Sequence, residues 1–362
     1  MMRRIFHCPG VIFVLLPALL YGGATLFATT AARAAEAAAR EPHIALLLPL
    51  ASPSFGRHAD AVRQGFAAAA NAAGKGVPPI RVYTVNEDTL NILASYEQAI
   101  ESGAKLVVGP LTRNGVAALA ASNLVTVPTL ALNTVGAHGP QPARLYLFGL
   151  GAEQEARQVA QYALDDGHRG AYLVGDNTPV SKRMRQAFVE EFARRGGRVV
   201  ADIAYSADQQ SLTRLRETTA RGAADMVFLA LDSTRARAAR PYLGNTLALY
   251  ATSQINAGTG AQAARELNLV QFVDMPWLLQ PDHPAVMIYP RAQFGGVIDF
   301  ERLYALGIDA LRIGLELLLN APDPSLDGVT GLIRITRNQT FVRELPLARF
   351  IDGKTVVLGK AR

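Results

Sequence analysis

Between Leu106 and Asn133 the chain reads LVVGPLTRNGVAALAASNLVTVPTLALN. A short apolar run ends in Gly-Pro, a polar loop and a helix-like stretch follow, and a second apolar run closes the segment. That is the strand, loop, helix, strand unit of a parallel sheet, with a loop at the carboxyl end of the first strand where such sheets take ligands. A parallel sheet needs helices on both faces, so the flanking sequence has to repeat the alternation.

It does. His43 to Leu50 (HIALLLPL) is short and wholly apolar enough for a buried strand, and Ala51 to Gly56 is the loop at its end. Ala59, Val62, Phe66, Ala69, Ala70 and Ala73 recur at helical spacing until Gly74 and Gly76 stop them. Ile80 to Val85 is a strand, and Asp88 or Thr89 caps a helix that buries Leu90, Leu93, Ala94 and Ile100. Beyond the Gly136 to Arg144 loop come the strand Leu145 to Leu150 and the helix Glu153 to Asp166. The alternation then restarts with strand Ala171 to Gly175, helix Val180 to Arg195 and strand Val199 to Ala204. It runs on through strands Met226 to Leu231 and Leu247 to Thr252, with Phe272 to Leu279 extended between prolines. Phe300 to Leu319 is a long helix, apolar on most sides and therefore packed against protein. The tail changes period: Leu332 to Thr336, Val342 to Ile351 and Thr355 to Leu358 alternate in polarity and are joined by turns at Arg337-Asn338 and Asp352-Gly353.

A chain of 362 residues, 50% hydrophobic and 18% charged, has the material for two such cores. The expected plan is a signal peptide over 1–34, a linker over 35–42, a first lobe from 43–148 plus 283–325, and a second from 149–282 plus 326–362. The signal is read from Arg3 and Arg4, the apolar run Val11 to Ala28, and the small-x-small site Ala32-Arg33-Ala34. A retained anchor is the alternative, and Pro17, Gly22 and Gly23 speak against it. Cleavage removes Arg3, Arg4 and Arg33 and no acid, so the formal charge falls from +6 to +3, too mild to imply nucleic acid. The single cysteine, Cys8, precedes the apolar run and so is not placed to become a lipidated first residue. The expected product is exported to the periplasm without disulfide, lipid or stable membrane anchor.

Several segments carry a resemblance. VVGPLTRNGVAALA followed by VPTLALN resembles the first-lobe unit of type I periplasmic binding proteins. LALN, LYATSQINAGTG, DMPWLL, ERLYALGIDAL, GLIRIT and FIDGKTV, in that order, are similar to the carboxyl-terminal domain of the LppC/LpoA family, activators of penicillin-binding proteins. The resemblance spans about 43 to about 358 and implies an α/β fold of two lobes, each a mainly parallel sheet flanked by helices, with a C-terminal hairpin. It implies a class A penicillin-binding protein as partner, with no enzymatic activity and no cofactor. Enteric members of the family resemble lipoproteins with a helical-repeat domain ahead of this one, whereas here the signal leads straight into the binding-protein fold. Amino-acid receptors of the fold carry small hydroxyl and Ala residues after the VP-containing strand. Leu132 and Val135 stand there in this chain and cannot hydrogen-bond through their side chains, which argues against an amino-acid pocket.

No G-x-S-x-G, P-loop or H-E-x-x-H occurs, and the six His residues lack metal-ligand spacing. Ser102-Gly103-Ala104-Lys105 fits S-x-x-K, but S-D-N and K-T-G are missing and Ser102 sits at a helix end. The expected cleft is lined from the first lobe by Ser52, Phe55, Thr112, Arg113, Asn114, Asn133 and Thr134. Asp176, Asn177, Asp232, Ser233, Ser253 and Gln254 end strands of the second lobe and form the opposite wall. Each residue alone is equally readable as a helix cap or turn. Arg235, Arg237 and Arg240, with Arg194, Arg195 and Arg198, either dock an acidic partner such as peptidoglycan carboxylates or form solvated helix faces. Trp277 is either a packing anchor or a sugar-stacking platform. Two functions survive: a regulator of cell-wall synthesis, and a solute receptor for a transporter of an amino acid or small anion.

Overall fold

The computed structural model describes residues 40–134, 141–258, 260–321 and 323–359. The expected signal peptide and most of the linker, Val135 and the start of the Gly136 to Arg144 loop lie outside the described residues.

The first five strands are β1 (His43–Leu48), β2 (Ile80–Thr84), β3 (Ala104–Val108), β4 (Thr129–Ala131) and β5 (Leu145–Leu147), and they form one parallel sheet in the order β2-β1-β3-β4-β5. Every residue of β1 is buried, as a strand covered on both faces requires. The connecting helices are α1 (Gly56–Ala73), α2 (Thr89–Glu101) and α3 (Arg113–Ala120). The starts of α2 and α3 are set by side chains: the Asp88 carboxylate accepts from Leu90 N–H, and the Thr112 hydroxyl from Gly115 N–H.

The chain then enters the second lobe through α4 (Ala152–Asp165). It alternates β6 (Gly170–Gly175), α5 (Pro179–Arg194), β7 (Arg198–Ala204), α6 (Gln209–Thr219), β8 (Met226–Ala230), α7 (Ser233–Ala239), β9 (Ala248–Ala251), α8 (Gly260–Glu266) and β10 (Val270–Val273). The short turns α9 (Pro276–Leu279) and α10 (Pro284–Met287) lead to the long α11 (Ile298–Leu318). This helix returns to the first sheet. It crosses α1 so closely that a Cβ on Gly65 would stand 1.9 Å from the Tyr304 carbonyl oxygen, and one on Gly307 2.1 Å from that of Val62. Only glycine at both positions lets the two backbones touch.

After α11, β11 (Ser325–Gly328), β12 (Gly331–Ile335) and β13 (Phe341–Glu344) make a separate antiparallel sheet, whereas β14 (Leu347–Ile351) and β15 (Lys354–Val357) extend the second one. The second sheet runs β15-β14-β10-β9-β8-β6-β7, parallel except for the added hairpin. The hairpin turns at Asp352-Gly353, where both residues have positive φ as a two-residue turn demands.

Three readings need correction. The buried face of α2 is carried by Ile92, Tyr96 and Ala99, whereas Leu90 is 73% exposed, Ala94 is exposed, and Leu93 and Ile100 are half-buried. Val342 to Ile351 is not one strand: Pro346 lacks the N–H that would continue a ladder, and the chain leaves one sheet for the other there. Phe272 to Leu279 is not extended throughout. It leaves the sheet after Val273, and Pro276 opens a helical turn, a position where its missing N–H costs nothing. Strand β11 was not anticipated from its turn-like SLDG sequence.

Candidate functional site

In the order β2-β1-β3 the winding reverses between β1 and β3, so the loops after those strands open the crevice where such sheets bind ligands. Phe55, Thr112, Arg113, Asn114 and Asn133 converge there on one cavity of about 430 Å³, shared with His58, Leu132 and Leu150. Its polar rim is tied down from within. Asn133 Nδ2 donates to the Leu111 carbonyl at 2.9 Å, and Arg113 Nε donates to the Thr134 carbonyl at 3.1 Å. Ser52 is buried beside the cavity, donating to the Glu87 carboxylate and accepting from Phe55 N–H. Leu132, 2% exposed, is part of the core. One cavity-lining atom, His58 Nδ1, is buried with no hydrogen-bond partner.

The six residues expected from the second lobe do not join this cavity. Asp176 accepts from Thr178 N–H and Oγ1–H and pairs with Arg235 Nε at 3.1 Å. Asp232 caps α7 through Arg235 N–H and also meets the Arg235 guanidinium. Asn177 and Gln254 are exposed. Ser233 lines a separate hollow of about 260 Å³ beside Ile255, Asn256 and Phe350. Ser253 is buried: its N–H donates to Glu155 at 3.1 Å and its carbonyl accepts from Arg302 at 3.0 Å. Three more of the basic series are paired on the surface, Arg237 with Glu266, Arg194 with Glu191 and Arg195 with Asp165. Trp277 is fully buried, its Nε1–H bonded to Glu301 and its ring under the Arg291 guanidinium.

What joins the two lobes is a set of charges. Glu153, in the first turn of α4, accepts from Arg113 of the first lobe at 3.2 Å and from Arg183 of α5 at 2.6 Å, both on the same carboxylate oxygen. Burial works to raise its pKa, but its own backbone N–H and the two guanidiniums outweigh that and hold it below the usual range. Deeper in, Arg302 of α11 reaches across to the Asp274 carboxylate at 2.8 Å and to the Ser253 and Asn256 carbonyls. Glu155, two residues after Glu153 and so on the other, buried side of α4, meets Arg343 of β13 at 3.3 Å. Burial pushes the Glu155 carboxyl up, with Arg343 opposing. Burial also works against the Arg302 charge, and Asp274 and Glu155 more than offset it.

Sequence reasoning missed this network. Its one available signal was Arg302 and Asp309 among the few charges of a mostly apolar helix. Also unanticipated is a larger concavity of about 740 Å³ on the second lobe. There Tyr250, Gln271 and Arg349 stand in register across three adjacent strands, and Tyr250 Oη–H donates to Asp166 at 2.5 Å. The S-x-x-K segment is dismantled by the fold: Ser102 ends α2 and Lys105 is an exposed residue of β3. Among the described residues no group of three or more His, Cys, Asp or Glu is placed to hold a metal ion. No described helix is long and apolar enough to cross a membrane.

Comparison with known proteins puts a family to this architecture. A family model described as "LppC putative lipoprotein" matches residues 34–353. The penicillin-binding protein activator LpoA of Yersinia pestis bv. Antiqua (strain Angola) is 26% identical over 404 residues, covering 87% of this chain and 61% of that one. This chain spans only about half the length of several other LpoA relatives, 48% for that of Dickeya chrysanthemi. Among solved structures, the LpoA (YraM) C-domain from Haemophilus influenzae, a regulator of PBP1A, superposes with a TM-score of 0.75 at 23% identity over 88% of this chain and 100% of that one. A "putative branched-chain amino acid ABC transporter" from Chromobacterium violaceum ATCC 12472 gives 0.73 at 37% identity over 85% and 100%. With two parallel-sheet lobes in place and a family model matched along nearly all its described residues, the chain belongs to the LppC family.

Proposed function

We propose that this protein is a non-enzymatic periplasmic regulator that activates a bifunctional, class A penicillin-binding protein in peptidoglycan synthesis. Membership of the LppC family supports the reading, since the curated relatives it matches are penicillin-binding protein activators. The observation that carries it against a receptor role is the state of the cleft. Of the side chains that would grip a solute from the second lobe, the two acids Asp176 and Asp232 are engaged in caps and ion pairs, Ser233 lines a separate hollow, Ser253 is buried, and Leu132 is core. A receptor needs polar groups free on both walls to close on its cargo. The same reading takes residues 1–34 as an export signal. The test is a reconstituted assay with the organism's own class A synthases: added protein raises glycan polymerisation or crosslinking several-fold. Unchanged rates with every synthase remove the proposal.

One observation favours a second reading, a solute receptor of a transporter: the cavity of about 430 Å³ holds the buried, unpartnered His58 Nδ1. A receptor gains roughly 2.7 kcal/mol from a ligand at 100 times its dissociation constant. A thermal-shift screen over amino acids and small anions that stays flat rejects this reading and leaves the regulator standing.

A further inference from the structure

We propose that Arg113 and Arg183 form a carboxylate-binding site between the lobes that the chain fills with its own Glu153, so that an external carboxylate enters only by displacing that side chain. Two guanidiniums from opposite lobes converge on a single oxygen, Oε1, at 3.2 and 2.6 Å. Side-chain exposure is 40% for each arginine and 21% for Glu153, so the site is within reach of a small solute without unfolding. Arg113 is held in place independently of Glu153, because its Nε donates to the Thr134 carbonyl. The cation pair is therefore expected to survive removal of the carboxylate. Arg113 also lines the cavity of about 430 Å³, which gives a displacing carboxylate apolar space beside its charged end. Glu153 comes from the first turn of α4, just where the chain passes into the second lobe, so the same contact links occupancy of the site to how the lobes are held.

This inference is independent of the penicillin-binding-protein reading, because no synthase enters its test. Glu153→Ala empties the site, and acetate or formate is titrated against chloride at equal ionic strength, with melting temperature as the readout. The expected result is a saturable, carboxylate-specific rise of about 2 °C or more in E153A. It should be absent in wild type, where Glu153 competes, and absent in E153A/R113A. If E153A responds no more than E153A/R113A, or wild type responds as strongly as E153A, the proposal fails. Should E153A not fold, Glu153→Gln with Arg113→Ala as its partner variant carries the same comparison, and small-angle scattering of E153Q reads the lobes directly. An unchanged radius of gyration in E153Q removes the link to lobe arrangement.

Discussion

The two ionic ties between the lobes are built in opposite ways. The Arg302–Asp274 pair is almost dry, at 9% and 1% side-chain exposure, and Glu155–Arg343, which backs it through Ser253 rather than crossing between lobes, is drier still at 6% and 1%. Glu153 is 21% exposed and its arginines 40%. Charges withdrawn from water need their remaining hydrogen-bonding sites filled, and the deep network supplies most of them with the Ser253 and Asn256 carbonyls, Ser253 N–H and Asn256 Nδ2, leaving Arg343 Nε without a partner. The outer clamp needs no such completion, because water solvates what its partners leave open, and for the same reason it contributes little to stability. The deep network thus keeps the lobes joined, and the clamp is a contact that can open, and let their angle change, without breaking it.

Breaking the deep network should have the largest effect. Arg302→Ala leaves the Asp274 carboxylate buried without its cation and takes a donor from two carbonyls, an expected loss of about 3–5 kcal/mol in urea unfolding. A loss below about 1 kcal/mol would mean that water already enters there, and the contrast with the clamp would collapse. Asp309 isolates burial from lobe contact. It is fully buried and accepts from Val329 N–H, Thr330 N–H and Oγ1–H and Arg312, tying α11 to the β11–β12 turn and not across the cleft. Asp309→Asn puts one donor among those donors and should cost about 1–3 kcal/mol. Small-angle scattering should find its lobes unmoved.

How much of this was legible in the sequence follows the range of each interaction. Caps such as Asp88 and Thr112 act within three residues, and their residue type beside a periodic apolar run announces them. The strand and loop positions of the first wall were legible for the same reason. Arg302 and Asp274 are 28 positions apart and Arg113 and Glu153 are 40, so nothing local distinguishes them from solvated charges. The second wall was misjudged because Asp, Asn and Ser at strand ends serve a cap and a ligand site equally well. Here Asp232 and Asp176 spend their oxygens on Arg235 and neighbouring backbone. Pro346 was visible, but only the two sheets on either side of it reveal that it ends one strand and precedes another.

The smallest effects give the sharpest test, because the two ties should respond to pH with opposite sign. Glu153 has a folded pKa below its unfolded one, so its contribution is present above the unfolded value and is lost as pH falls through the folded value. Glu155 has a folded pKa above its unfolded one, so its contribution is full below the unfolded value and is lost as pH rises through the folded value. Neutral glutamine follows neither curve. The stability difference between wild type and Glu153→Gln should be about 0–1 kcal/mol near neutrality, shrink with added salt, and fade as pH drops from about 5 toward 3. The difference between wild type and Glu155→Gln should move toward the wild type over the same descent. Melting curves from pH 3 to 8 measure both, and slopes of the same sign would show that Glu155 and Glu153 sit in one continuous, water-filled environment.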